Sequence, residues 1–300
     1  MRSGFVAVAG RPNVGKSTLV NALVGAKVAV VSDKSQTTRR AIRGIVNGTR
    51  EGEPFQLVLV DLPGFQHPRD ALTERMQGRV ERALRECDGA LFVQNGAERS
   101  GAGDRFIARA LSTARVPVVV AVNKIDLLDR AAVAEALSNA AGLEHGGLEL
   151  RAVFPISARA GTGIDPLRDE LAALLPEGPA YYPDSTVSDQ PREIVVAELV
   201  REQALSRTRE EIPHSIEVQV EEVRERGDLT WVHAVLWVET ESQKGILIGR
   251  QGAMVRAIGT AARQALEREL GTRVHLDLTV KVRKSWRRDD ALLDRLGIER

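Results

Sequence analysis

Three hundred residues with 43% apolar, 28% charged and only 4% aromatic content fit two folded domains, each with its own core, and exclude a disordered chain. Forty-two Lys and Arg against forty-one Asp and Glu leave a formal charge of +1, so any basic surface for nucleic acid or membrane has to be local. The single Cys87 excludes an internal disulfide and suits a reducing cytoplasm, and no apolar run approaches the ~20 residues needed to span a bilayer. The chain is expected neither to span a membrane nor to be exported.

The first run, FVAVA (5 to 9), is a strand that leads into GRPNVGKS (10 to 17) and the helical pattern STLVNALVG. Strand, G-x-x-x-x-G-K-S and helix together make the phosphate-binding loop: its amides cradle phosphate oxygens, Lys16 reaches the β and γ oxygens and Ser17 ligates magnesium. The polar stretch KSQTTRR follows, where Thr37 or Thr38, with Thr38 favoured, completes the magnesium shell when a triphosphate is bound. The strand FQLVLVD (55 to 61) ends in DLPG, giving a magnesium-side carboxylate, Asp61, that acts through a water, and Gly64, whose N–H faces the γ-phosphate. Phe65 stands next, and it cannot orient a water as a glutamine would. Turnover is therefore expected to be slow, on the order of 10⁻³ per second, with Gln66 out of register to help.

GALFVQ (89 to 94) and VPVVVAVN (116 to 123) are nearly continuous apolar runs, the pattern of strands buried on both faces of a parallel sheet. The second ends in NKID. Asp126 is acceptor-only and fits the paired N–H groups of a guanine edge, which adenine does not present, while the stem of Lys124 lies along the ring. After the strand AVFPIS (152 to 157), Ser157 and Ala158 supply backbone N–H groups to the guanine carbonyl. Residues 1 to 175 thus read as an α/β domain, a mixed and mostly parallel sheet with helices on both faces. Its expected nucleotide contacts are Gly10, Arg11, Pro12, Asn13, Val14, Gly15, Lys16, Ser17 and Thr18, then Asp61, Leu62, Pro63 and Gly64, then Asn123, Lys124, Asp126, Ser157 and Ala158. Lys16, Thr38 and Gly64 carry the catalytic roles, and Ser17, Thr38 and Asp61 the metal.

PEGPAYYPDSTVSDQP (176 to 191) has the composition of a linker. Residues 192 to 300 then give a helix at REIVVAELVREQALSRT, two alternating strands, a turn GRQG (249 to 252), a helix MVRAIGTAARQALEREL and a last strand RVHLDLTVKVRKSW. A lone G-x-x-G is weak evidence, but residues 273 to 288 add six basic residues against the single acidic Asp277. Gly249, Arg250, Gln251 and Gly252 would clamp a nucleic-acid backbone, with Lys281, Arg283 and Lys284 nearby. Trp286 is the expected base-stacking residue, and Trp231 and Trp237 are expected in the core.

GRPNVGKST, QTTR, DLPGF, NKID and SA, followed by LIGRQGAM and VKVRKSW, resemble the Era family of bacterial GTPases, in motif order over essentially the whole chain. That resemblance implies a GTP-binding domain joined to a type 2 KH domain. It also implies binding of GTP or GDP with Mg²⁺, binding of the single-stranded 3′ end of 16S rRNA, and action in rRNA processing and 30S subunit biogenesis. Asn13 occupies the position that in relatives helps hold K⁺ between the phosphates. Two departures stand out: Arg250 and Gln251 lie inside the KH loop, where lysine or a third glycine is commoner, and Leu62 replaces the commoner threonine. The expected protein is a cytoplasmic monomer that binds no DNA. The alternative is a signalling or membrane-peripheral GTPase on the inner face of the cell membrane, whose basic strand meets protein or lipid; a double-G-domain GTPase is disfavoured by the single phosphate loop.

Overall fold

The computed structural model describes residues 1–31, 39–64, 70–143, 147–208 and 212–298. The first half builds a six-stranded sheet from β1 (Arg2–Ala9), β2 (Ile42–Arg50), β3 (Glu53–Asp61), β4 (Gly89–Asn95), β5 (Val118–Asn123) and β6 (Leu150–Pro155), in the order β2-β3-β1-β4-β5-β6. All neighbours run parallel except β2, which pairs antiparallel with β3. Sequence reading missed β2. Its run IRGIVNGTR mixes glycine, arginine and asparagine with its apolar positions because it is an edge strand.

The apolar runs behave as buried strands should: β4 and β5 are buried along their whole length. One face is covered by α1 (Lys16–Val24) and α5 (Ile164–Ala173), through Leu19, Leu23, Leu167 and Leu171. The other is covered by α2 (Ala71–Glu86), α3 (Ala102–Ala114) and α4 (Arg130–Ala141), through Val80, Leu84, Ile107, Leu111 and Ala140. β1 is the strand on either side of which the order diverges, so the crevice at its carboxyl end is where a ligand belongs.

The stretch 176 to 191 is held against this domain. Ile45 N–H donates to the Val187 carbonyl (2.9 Å), so the stretch covers part of the free edge of β2. The buried Gln56 side chain accepts from the amides of Tyr181 and Tyr182 and donates to the Tyr182 carbonyl.

The second half carries α6 (Arg192–Ser206), a one-turn α7 (Ile212–Ser215), β7 (Glu217–Arg226), β8 (Leu229–Val238), α8 (Glu241–Ile248), α9 (Ala253–Leu270), β9 (Arg273–Val282) and α10 (Asp290–Arg295). β8 lies central, antiparallel to β7 and parallel to β9. One sheet face packs on α6 and α9 through Val232, Ala234, Leu236, Ile258 and Leu266. At the β8 end of the other face, Val235 and Trp237 join Trp286, Leu293, Leu296 and Ile298, and this cluster also takes in Leu72 and Met76 of α2. A hydrophobic core therefore links the two halves. α8 was also missed in the sequence, since the helix is only eight residues long and its short apolar run GILI ends at a glycine.

Candidate nucleotide and nucleic-acid sites

The phosphate loop closes between β1 and α1 in a conformation that its glycines permit. Gly15 has φ +99°, and a Cβ there would come within 2.3 Å of Asn123 Nδ2. Asn13 also has a positive φ, 64°. Gly64 lies against Pro12, whose ring and backbone would meet an added Cβ at 3.0 to 3.2 Å, so β3 delivers its DLPG turn directly onto the loop.

Lys16 is buried and donates from Nζ to the carbonyls of Gly10 (3.1 Å) and Arg11 (3.0 Å). Burial lowers its pKa to about 8, with Asp61 pulling upward. Ser17 Oγ donates to Asp61 Oδ2 at 2.8 Å, and Asp61 is fully buried at the end of β3, opposite Val8 of β1. An alcohol and a carboxylate in contact at a phosphate loop are the hard oxygen donors that suit Mg²⁺. Those two residues would hold the ion, which neutralises phosphate charge when bound.

The base-recognition motifs converge on the same loop. Asn123, at the end of β5, donates to the Val14 carbonyl (2.8 Å) and accepts from Ala158 N–H (2.9 Å), so one buried amide ties together all three segments. Lys124 has φ +68° and donates from Nζ to the Asn13 carbonyl at 2.8 Å. Ser157 Oγ donates to Asp126 Oδ1 at 2.6 Å, fixing a carboxylate that is otherwise exposed. Gly10, Pro12, Val14 and Thr18 complete the loop, Pro63 the turn, and Leu62 is a core residue that can offer only its backbone. Thr37, Thr38, Phe65 and Gln66 lie outside the described residues.

Arg11 departs from expectation. Its guanidinium is ion-paired with Glu98 (2.8 Å) and Asp104 (3.0 Å), beside α3, so its side chain braces the loop from outside.

In the second half, Gly249 (φ +69°), Gln251 (φ +52°) and Gly252 (φ +76°) turn the chain between α8 and α9. A Cβ on Gly249 would press on Met254 at 2.8 Å, so the first glycine is required by packing as well as by φ. Arg250 is exposed, and Arg256, which sequence reading passed over, brings Nη1 to 3.3 Å from where a Gly252 Cβ would stand. Its place one turn into the helix after a G-x-x-G was the available signal. Two cations thus flank the turn.

The remaining basic residues are not gathered there. Val280 and Val282 of β9 pack toward α6 and α9, so alternation sends Lys281 and Arg283 to the opposite sheet face. Lys281 pairs with Glu221 at 3.5 Å, and the Arg283 guanidinium sits over the Trp237 ring, 5.7 Å from its centroid. Lys284 is exposed just beyond the strand.

The tryptophans need correction. Trp286 is fully buried, donates from Nε1 to the Ser215 carbonyl (3.0 Å) and lies under the Arg39 guanidinium, so it is a core residue and presents no face to a base. Trp237 is core, as expected, but Trp231 is 44% exposed and meets the His275 ring at a tilt of 42°, with centroids 4.1 Å apart. Among the described residues no helix is long and apolar enough to cross a membrane.

Comparison with known proteins agrees with this geometry. Residues 5–124 match the 50S ribosome-binding GTPase family, and residues 211–287 match the KH domain family. GTPase Era of Mycobacterium tuberculosis (strain H37Rv) is 48% identical over 301 residues, covering 98% of each chain. GTPase Era of Mycobacterium sp. (strain KMS) is 47% identical, covering 99% of this chain and 98% of its own. Among solved structures, an Aquifex aeolicus Era variant bound to GDP·AlF4⁻ superposes over 100% of both chains with a TM-score of 0.93 and 35% identity. Era in complex with MgGDPNP and nucleotides 1506–1542 of 16S ribosomal RNA gives the same values.

Proposed function

The chain belongs to the Era family of GTPases, and from that premise we propose that it is a GTP-controlled clamp on the single-stranded 3′ end of 16S rRNA, acting in rRNA processing and 30S subunit biogenesis. Its working parts are residues 1–175 for GTP, 192–300 for RNA and 176–191 as connector, in a cytoplasmic monomer. The observation that carries the reading is that a magnesium-ready phosphate loop and a cation-flanked G-x-x-G turn are joined by one buried core. A relative solved with both MgGDPNP and 16S rRNA supports the pairing of ligands.

In this reading Gly10 to Thr18 bind the phosphates, Ser17 and Asp61 hold Mg²⁺ together with Thr38, and Gly64 donates to the γ-phosphate. Asn123, Lys124, Asp126, Ser157 and Ala158 select guanine. Gly249 to Gly252 clamp the RNA backbone with Arg250 and Arg256, since glycines let amides approach phosphates closely. Lys281, Arg283 and Lys284 make peripheral phosphate contacts.

The test is the affinity of a short RNA matching the 16S rRNA 3′ tail, measured against salt with GDP and with a non-hydrolysable GTP analogue. Tighter binding with the analogue is expected, because a nucleotide shifts a switch only by its differential affinity for the two states. Arg256→Ala should lower the salt slope by about one, and Gly252→Asp should abolish the difference. Equal binding in both nucleotide states overturns the proposal. Asn13 is assigned to K⁺ on the family resemblance of its position in the loop; equal hydrolysis rates in potassium and sodium would remove that assignment.

A further inference from the structure

A cavity of about 690 Å³ lies on the α2 side of the first sheet, between parts of both halves of the chain. One wall is the carboxyl-terminal half of α2. The other is the end of the connector, residues 189–191, with Ile194 of α6 and Gly297. The floor is apolar: Phe5 of β1 and Val60 of β3 face the cavity from the sheet, Ala83 and Cys87 from the end of α2, and Pro191 and Ile194 from the far wall. Phe5 is held edge-on against Tyr181 of the connector, with ring centroids 4.8 Å apart.

Four arginines but only two carboxylates, Glu86 and Asp189, line the same space. Two of the arginines are engaged by the protein. Arg40 donates to Glu198 (2.6 Å), to the Leu296 carbonyl (2.8 Å) and, at 3.5 Å, to Glu217. Arg43 pairs with Asp189 (2.9 Å), which also accepts from the Tyr182 hydroxyl (2.8 Å). The other two, Arg79 and Arg82, share one stripe of α2 with Ala83 and Glu86, at i, i+3, i+4 and i+7. Arg82 is exposed at the mouth, and among the described residues it forms no ion pair. Glu86 is exposed one turn further on, where its charge opposes any anion drawn to Arg82.

We infer that this cavity is a binding site for a small amphiphilic anion, an acyl or aryl body on Phe5, Val60 and Ile194 with one anionic end at Arg82. An apolar floor takes the body out of water, while the guanidinium at the mouth meets the charge without burying it. The volume falls within the ~300–1,000 Å³ of small-molecule sites, which favour domain interfaces. Cys87 belongs to the apolar lining: burial first, then the charges of Asp88 and Glu86, push its thiol up to about 12, so it stays neutral. The occupant touches the first domain, the connector and α6, so it stabilises their junction by binding only the folded chain. None of the residues that line the cavity is among those assigned to GTP or to RNA, and the inference depends on neither.

The experiment titrates 1-anilinonaphthalene-8-sulfonate, whose fluorescence rises in an apolar site, into the full chain. Displacement by octanoate, indole-3-acetate and the neutral 1-octanol follows, with Tm and the rate of Cys87 alkylation by N-ethylmaleimide measured alongside. One saturable site is expected, with a dissociation constant on the order of 10 µM for a probe of this size. Occupancy should raise Tm and slow alkylation of Cys87, the single cysteine of the chain. Displacement by octanoate identifies an acyl body and by indole-3-acetate an aryl one; either supports the site, provided 1-octanol displaces less. Arg82→Gln should weaken binding about two- to five-fold and Glu86→Gln strengthen it by a similar factor, both with wild-type Tm because the positions are exposed. Ala83→Leu, which fills the cavity from α2, should weaken binding about ten-fold or more; if that variant fails to fold, the exposed pair still decides. Binding that does not saturate, changes of the same sign in Arg82→Gln and Glu86→Gln, or no change in either, would mean adventitious adsorption and overturn the inference. So would equal displacement by 1-octanol, or alkylation of Cys87 at the same rate with the probe bound.

Discussion

Replacing Glu217 by glutamine would test what holds the two halves together. The side chain is fully buried and faces three guanidinium groups, with direct donation from Arg39 and Arg40. Burial alone would push its pKa up, but Arg40, Arg39 and Arg201 outweigh burial and bring it from 4.5 down to about 2. At about 1.36 kcal/mol for each pH unit, the favoured ionised state is worth on the order of 3 kcal/mol, in line with the ~3–5 kcal/mol lost when one partner of a buried pair is removed. Because the folded pKa lies below the unfolded one, this stabilisation is complete above pH 4.5 and disappears as pH falls toward 2. Glu217→Gln should thus be less stable by about 3 kcal/mol at pH 7, with wild type and variant converging between pH 4.5 and 2. Urea unfolding followed by tryptophan fluorescence reports it, since Trp237 and Trp286 are both buried at this junction. A loss under about 1 kcal/mol at neutral pH, or parallel curves across the acid range, would refute the electrostatic account.

Lys16 gives a second pH signature. Its pKa of about 8 without nucleotide should rise against phosphate, so binding takes up a proton above pH 8. GDP affinity should be level below that pH and approach about a ten-fold fall per pH unit above it; a dissociation constant that stays flat from pH 7 to 9 would contradict the burial of that amine. The exchange of tryptophan roles is checked by alanine substitution. Trp286→Ala should cost about 3–5 kcal/mol and loosen the contact of α10 with α2, while Trp231→Ala should stay within about 0.5 kcal/mol in thermal unfolding; the reverse order would restore the first expectation.

These tests fall where the sequence was hardest to read. Local chemistry announced itself: G-x-x-x-x-G-K-S between a strand and a helix, an aspartate ending the buried β3, N-K-x-D beginning at the end of the buried β5, and two glycines at a turn. Trp286 was misread because its basic neighbours, Lys284 and Arg287, suggested an exposed surface, whereas a 3-10 turn after β9 carries the indole inward, under Arg39. Nothing local separates a tryptophan flanked by cations on a surface from one capped by a cation across a domain junction. The junction itself left a faint trace, a glutamate within the apolar run IVVAELV of α6. A buried carboxylate is tolerated only when paired, so Glu198 on an apolar helix face implied a cation from elsewhere in the chain. That cation is Arg40, 158 residues away, directly after the QTTR motif. Arg39, which ends the motif, and Arg40 thus turn toward the second domain. A stretch that resembles nucleotide chemistry in sequence supplies, in the two arginines that close KSQTTRR, a buried contact between the GTPase domain and the domain that bears the G-x-x-G turn.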